Sequence, residues 1–150
     1  MLCKQCVEKR NIVLAEVTEN GMALKKASEE FQNDTGIVLA AVTDNGMALS
    51  IASDEMKDDP EIVLTAIKQK GWLLEYASYR LKNNHEIVLV AVQLCGMAVQ
   101  FASEELQDDR EIMLAAVKQN AKALIYASDR LYNDSDIQKA AREIWHIFTD

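Results

Sequence analysis

The sequence from Pro60 to Asn84 reads PEIVLTAIKQKGWLLEYASYRLKNN, and its features return every 25 residues in both directions. Glycine recurs at Gly21, Gly46, Gly71 and Gly96, with Ala121 at the fifth position. The pair Ala-Ser keeps the same interval and ends at Ser28, Ser53, Ser78, Ser103 and Ser128. A fixed period of this length is typical of proteins built from stacked repeats. The spacing predicts five copies, at 12–36, 37–61, 62–86, 87–111 and 112–136, after a partial copy at 1–11.

The first half of each copy is predicted to be a helix. Residues 62–67 are apolar on nearly every side, which also suits a buried strand. The flanks favour a helix, because Asp59 can cap it and Pro60 has no N–H to lose in the first turn. Gly71 is expected to end it in the left-handed conformation. A helix that is apolar all round must be covered on several sides, so we expect the third apolar residue of each run to be almost fully buried. Those residues are Leu64, Leu89 and Leu114.

The second half of each copy has a helical, one-sided apolar pattern, seen at Leu73, Leu74, Ala77 and Leu81. Ser78 and its equivalents lie inside this segment. Such a Ser either bonds back to a carbonyl one turn earlier or caps a short last turn. The second interpretation breaks the segment into two pieces, and we favour it.

The last segment, 137–150, is predicted to be a capping helix. Gln138, Lys139 and Arg142 replace apolar residues of earlier copies, as expected where no further repeat stacks. An apolar stripe remains and is expected to cover the fifth copy; it comprises Ile137, Ala140, Ala141, Ile144, Trp145 and Phe148. The predicted fold is therefore all-α, a solenoid of about five helix-turn-helix repeats in a single domain, 1–150.

Composition argues against several kinds of partner and location. A net charge of −8 disfavours nucleic acid and anionic membranes as partners, because both attract clustered Lys and Arg. No apolar run is long enough for a membrane span, and the start has no long apolar core of a signal peptide. Three Cys is an odd count that favours a reducing, intracellular compartment.

The repeat unit resembles the short helical repeat catalogued as domain of unknown function 4116. The segments 61–81 and 111–131 carry the pattern best, and the likeness extends from about residue 2 to 136. The repeat unit usually has an Asn-Gly pair between its two halves. Lys70 and Cys95 replace the Asn of this pair, and Ala121 replaces the Gly. The resemblance implies tandem arrays within larger proteins of protists, giant viruses and some intracellular bacteria. It supplies no catalytic residue. Together with the Cys count, it predicts a cytoplasmic location, or delivery into a host cytoplasm if the source is an intracellular bacterium.

No catalytic, metal or cofactor site is expected. Asp58-Asp59 and Asp108-Asp109 suit helix capping, since no calcium-loop pattern surrounds them. Cys3 and Cys6 lack the second pair of a zinc site, and packing at the end of a degraded repeat explains them better. His85 and His146 are predicted to be surface residues. The five recurring Ser residues have no recurring base, which argues against a nucleophile.

Side chains that differ between copies are the candidates for binding a protein or peptide. One row of equivalent positions reads Lys26, Ile51, Tyr76, Phe101 and Tyr126, and a second reads Met22, Met47, Trp72, Met97 and Lys122. Both rows also suit packing between layers. Tyr79, Leu94 and Ile125 replace polar residues of other copies and are stronger candidates. The predicted binding set is Trp72, Tyr76, Tyr79, Leu94, Phe101, Ile125 and Tyr126. We therefore expect a non-enzymatic interaction scaffold, or alternatively a spacer or accessory module of a larger, possibly enzymatic, protein.

Overall fold

The computed structural model describes the backbone of residues 4–147 and the side chains of 4–145. Within this part the fold is all-α, with no strand, as the sequence predicted. The α-helices are α1 Lys4–Glu19, α2 Glu29–Gln32, α3 Thr35–Asp44, α4 Pro60–Gln69, α5 Tyr79–Lys82, α6 His85–Leu94, α7 Glu104–Gln107, α8 Arg110–Gln119, α9 Asp129–Tyr132 and α10 Ser135–Ile147. The predicted solenoid-like repeat is confirmed: a long helix, a 3₁₀ segment and a short terminal turn recur along the chain.

Between the long helices lie 3₁₀ segments, at Gly21–Lys26, Gly46–Ser50, Met56–Asp58, Gly71–Tyr76, Gly96–Phe101 and Ala121–Tyr126. The structure divides into two compact units, residues 1–69 and 70–150. Each contains consecutive repeats and its own buried residues. The assignment of 1–150 to a single domain, with the repeat boundaries given above, stays a prediction.

Helix caps form where the sequence predicted them. Asp59 accepts hydrogen bonds from the N–H groups of Glu61 and Ile62 at 2.9 and 3.2 Å, directly before Pro60. Asn84 and Asp109 accept from the third residue of α6 and α8 in the same way. These bonds satisfy N–H groups that a helix leaves unpaired at its start. The Asn/Asp pairs of the repeat therefore fix where α4, α6 and α8 begin.

Only one face of each long helix is fully buried, so the prediction for Leu64, Leu89 and Leu114 is wrong. In α4 the residues with no solvent exposure are Ile62, Val63, Ala66 and Ile67. Leu64 is only half-buried, and so are Leu89 in α6 and Leu114 in α8. The buried residues follow the spacing i, i+1, i+4, i+5, which places the third residue of the run toward the opposite side. Neighbouring repeats cover the first side and leave the second partly open.

The recurring glycine is required by close packing, and the prediction of a left-handed C′ residue at Gly71 is wrong. No described residue, glycine included, has a positive φ. A Cβ atom at Gly71 would lie 2.4 Å from the carbonyl oxygen of Ala91, and one at Gly96 would lie 2.3 Å from that of Ala116. Both distances are far below van der Waals contact. The glycine thus lets the 3₁₀ segments that begin at Gly71 and Gly96 touch the backbone of the next long helix.

The recurring Ser breaks the second segment, as we favoured. Ser103 Oγ accepts a hydrogen bond from the N–H of Leu106 at 3.3 Å and so caps α7. The same hydroxyl donates to Asn83 Oδ1 of the preceding repeat, and Ser103 N–H donates to the carbonyl of Lys82 at 3.0 Å. Ser128 repeats this arrangement with Asp108. A role in both capping and joining repeats explains why the Ser recurs.

Residues 4–11 differ from the predicted end of a partial repeat, because they lie in the continuous helix α1. Glu8 and Lys9 occupy the positions of the later Asn/Asp pairs, so the cap that starts a new helix is missing. Cys6 is exposed instead of filling an interior position, and Cys3 lies outside the described residues. Arg10 pairs with Asp34 at 2.7 Å, and its guanidinium holds the pKa of Asp34 below the ordinary value.

Candidate functional site

A cleft of about 440 Å³ lies between the last 3₁₀ segment, α9 and the second half of α10. All of these elements belong to the second compact unit. The residues that line it are Ala121, Lys122, Leu124, Ile125, Tyr132, Ala141, Arg142 and Trp145. Its volume falls within the range of ligand-binding clefts, and most of its lining is apolar. The cleft is the strongest candidate for a functional site in the described part of the chain.

Three large apolar side chains of the cleft are exposed: Ile125 at 71%, Tyr132 at 50% and Trp145 at 56%. Each stands where other repeats carry mostly polar residues. The equivalents of Ile125 are Lys25, Ser50, Glu75 and Gln100; those of Tyr132 are Gln32, Lys57, Lys82 and Gln107; those of Trp145 are Asn20, Asn45, Lys70, Cys95 and Asn120. Local departures from a structural pattern are where functional residues are expected. Here three such departures meet in one place.

The residue that Tyr132 replaces has a structural task in the preceding repeat. Gln107 Nε2 donates to the carbonyls of Val99 and Ala102, both at 3.2 Å, at the end of the 3₁₀ segment. Lys82 is half-buried at the same position one repeat earlier, and this burial lowers its pKa. Tyr132 is half-exposed and faces the cleft instead. The fifth repeat therefore has an accessible aromatic ring where the fourth has a Gln side chain hydrogen-bonded to the 3₁₀ segment.

Ala121, which lines the cleft, stands where earlier repeats carry the recurring glycine. At Gly96, one repeat earlier, a Cβ atom would meet the Ala116 carbonyl at 2.3 Å. Ala121 carries that Cβ, so α10 cannot approach its 3₁₀ segment as closely as α8 approaches Gly96. Gly96 is buried, whereas Ala121 is half-buried and lines the cleft. The methyl group of Ala121 thus keeps the 3₁₀ segment and α10 apart.

A hydrogen bond that joins earlier repeats is also lost at this junction. Gly96 N–H donates to Gln119 Oε1 at 2.5 Å, and Gly46 N–H donates to Gln69 Oε1 at 2.7 Å. Ile144 occupies the equivalent position on α10 and has no side-chain acceptor. The junction between the fifth repeat and α10 therefore lacks both the close glycine contact and the Gln hydrogen bond that are present at Gly96.

The polar part of the cleft lining is cationic. Lys122 and Arg142 are exposed and line the cleft, and no carboxylate is among its lining residues. Within residues 4–145 neither cation forms an ion pair. This contrasts with the net charge of −8 for the whole chain. The cleft combines an apolar floor with a local positive charge.

The seven predicted binding residues are spread over the second unit. Ile125 lies in the cleft. Trp72 and Tyr76 form an edge-to-face pair with ring centroids 6.4 Å apart and are half-buried. Phe101 and Tyr126 are also half-buried, and the Tyr126 hydroxyl donates to Gln100 Oε1 at 3.2 Å. The Trp72–Tyr76 contact lies within one 3₁₀ segment, and the role of these aromatic residues in binding or in packing between layers stays a prediction.

Tyr79 and Leu94 are exposed, at 78% and 49%, and lie outside the cleft lining. Leu94 occupies the position at which Gln69 and Gln119 accept a hydrogen bond from the N–H groups of Gly46 and Gly96. Gly71 is buried and lies close to the end of α6. The Leu94 side chain has no atom that can accept a hydrogen bond from the Gly71 N–H. Leu94 therefore gives up a bond between repeats and exposes an apolar side chain.

Replacing Leu94 by Gln should stabilise the chain by about 1 kcal/mol, because Gln can accept the Gly71 N–H. Urea unfolding measures the change in the free energy of unfolding. The matched control is Gln119→Leu, which leaves the Gly96 N–H without its acceptor and should destabilise the chain by about 1–3 kcal/mol. If Leu94→Gln lowered the free energy of unfolding, residue 94 would not be equivalent to Gln69 and Gln119.

One prediction at the C-terminal end needs correction, and one residue was missed. Trp145 was expected to be buried as part of the cap, but it is more than half exposed and lines the cleft. Ile137, Ala140 and Ala141 do cover the fifth repeat, so the stripe is buried only over its first part. Phe148 lies outside the described residues. Tyr132 was missed, although its replacement of Gln and Lys in other repeats was a readable signal.

No group of His, Cys, Asp and Glu in the described residues is arranged to hold a metal ion. His85 does have acidic neighbours that the sequence did not reveal. Its Nε2 lies 3.6 Å from a carboxylate oxygen of Asp109 and 3.6 Å from one of Glu111. Arg110 contacts Asp134 at the equivalent place one repeat later. These contacts link the starts of successive long helices, and the side chain of His146 is outside the described set.

These features define the class of protein: an all-α, solenoid-like tandem repeat. The chain belongs to the family described as Domain of unknown function (DUF4116), whose model matches residues 9–57, 59–98 and 86–132. No curated protein and no solved structure matches the chain. Among the described residues, no helix is both long enough and apolar enough to cross a membrane.

Proposed function

We propose that this chain is a non-enzymatic, intracellular interaction module that binds a segment of another protein in its C-terminal cleft. The observation that carries the proposal is the meeting of Ile125, Tyr132 and Trp145 in one cleft, each exposed and each at a position that is mostly polar elsewhere in the array. A spacer has no use for such a cluster, since exposed apolar side chains favour association.

The chemistry of the cleft supports binding over catalysis. Tyr and Trp are over-represented among the residues that carry most of the energy of protein interfaces. Each offers a large, rigid contact area and a polar tip. Three of the recurring Ser residues, Ser53, Ser103 and Ser128, are engaged in caps and in bonds between repeats.

The proposal is tested by selecting a displayed library of random peptides on the immobilised chain. Selected peptides should bind the natural sequence and lose binding to the double variant Ile125→Gln/Trp145→Gln. The matched control is Lys25→Gln, which changes the position equivalent to Ile125 in the first repeat and should bind normally. Both variants change exposed residues, and circular dichroism checks that they remain folded. Failure to select any peptide that discriminates the double variant would overturn the proposal and favour the spacer.

A further inference from the structure

The preceding repeat shows what kind of backbone fits the cleft. There, the segment Ala121–Tyr126 packs against both Gly96–Phe101 and α8. The cleft is formed by the equivalents of those two surfaces, namely Ala121–Tyr126 and α10. A short helical segment is therefore the occupant whose shape the repeat already accommodates. The surface differs from its equivalent in the preceding repeat by the methyl group of Ala121 and the large side chains of Ile125, Tyr132 and Trp145. It therefore no longer matches a copy of the repeat itself.

The charge of the cleft restricts the side chains of that occupant. Lys122 and Arg142 lie at its lining without a carboxylate partner among residues 4–145. Cations beside an apolar floor attract an anionic group that approaches together with apolar side chains. The surrounding chain is acidic, so a ligand with dispersed negative charge is repelled elsewhere. A carboxylate placed next to an apolar face satisfies both conditions.

We infer that the cleft binds a short amphipathic helix whose apolar face is flanked by Asp or Glu, with its carboxylate held by Lys122 and Arg142. The inference rests on the proposed function and specifies its partner. Apolar side chains of the helix contact Ile125, Tyr132 and Trp145, in the mode in which helices enter hydrophobic grooves. The apolar contacts supply most of the affinity, and the two cations select acidic partners over basic ones.

The test uses two synthetic helical peptides with the same apolar residues at i, i+3, i+4 and i+7. One carries Glu at the flanking positions and the other carries Lys. Fluorescence anisotropy should give at least about tenfold tighter binding for the Glu peptide at low salt, with a smaller ratio at high salt. The double variant Lys122→Glu/Arg142→Glu should prefer the Lys peptide. The control Lys118→Glu, an exposed charge outside the cleft lining, should leave the preference unchanged.

Each other outcome has a distinct meaning. Equal binding of both peptides, lost in Ile125→Gln/Trp145→Gln, overturns the charge selection but leaves the proposed function standing. Binding of neither peptide overturns the inference about the partner, while the library selection judges the proposed function separately. A dimer of this chain that disappears in Ile125→Gln, seen by sedimentation, overturns the inference because the occupant is then a second copy.

Discussion

Gly96→Ala should destabilise the second unit by about 2–3 kcal/mol, the cost of inserting an atom into a close-packed contact. The new Cβ would lie 2.3 Å from the Ala116 carbonyl oxygen and 2.9 Å from Gln119 Oε1. Backbone atoms of α8 cannot turn aside as a flexible side chain can, so the helix must move. Urea unfolding of the full chain measures the loss. The same substitution also strains the hydrogen bond from residue 96 N–H to Gln119.

The matched control for Gly96→Ala is Ala121→Gly, at the equivalent position of the next repeat. There α10 already tolerates the Cβ, so removing it relieves no clash. We expect a change in the free energy of unfolding within about 1 kcal/mol, the range for a Gly–Ala exchange without a packing effect. If Gly96→Ala and Ala121→Gly gave equally small changes, the close approach at Gly96 would not be needed for stacking.

Ile112→Ala should cost about 3–4 kcal/mol, whereas Leu114→Ala on the same helix should cost about 1 kcal/mol. Ile112 has no exposed surface, and its removal leaves a cavity between α8 and its neighbours. Leu114 is only half-buried, so its position can collapse or hydrate. Chemical denaturation of the two variants, with unchanged slopes, measures the difference. Equal losses would mean that the buried face of the long helix is misassigned.

The period of 25 residues was enough to predict the all-α repeat, the caps and the break at the recurring Ser. Asp59 and Pro60 identify a helix start by their own chemistry, without tertiary information. Leu64 shows the limit of that approach. A run such as Ile62 to Ile67 is apolar on all sides, so the sequence does not reveal which side a neighbour covers. Only the packed structure shows that Val63 is buried and Leu64 is partly open.

The glycine illustrates a second limit. Its position after a helix suggests a left-handed turn, and the same sequence equally suits a close contact with a carbonyl 20 residues later. Local sequence rules describe the first possibility, while the second depends on how repeats stack. Once the contact at Gly96 is known, Ala121 becomes an informative departure. The cleft was therefore hidden from the sequence, although Ile125 and Tyr132 were both visible as apolar residues in polar positions.

The most direct test of the cleft as a binding site is an NMR titration of the full chain with a peptide selected from the displayed library. The two indole N–H signals come from Trp72 and Trp145, so one reports on the cleft and the other is an internal control. We predict that Trp145 and the Ile125 methyl groups shift strongly, while Trp72 remains almost unchanged. Large shifts at Trp72 and Tyr76, with Trp145 and Ile125 unaffected, would contradict the assignment of the cleft as the binding site.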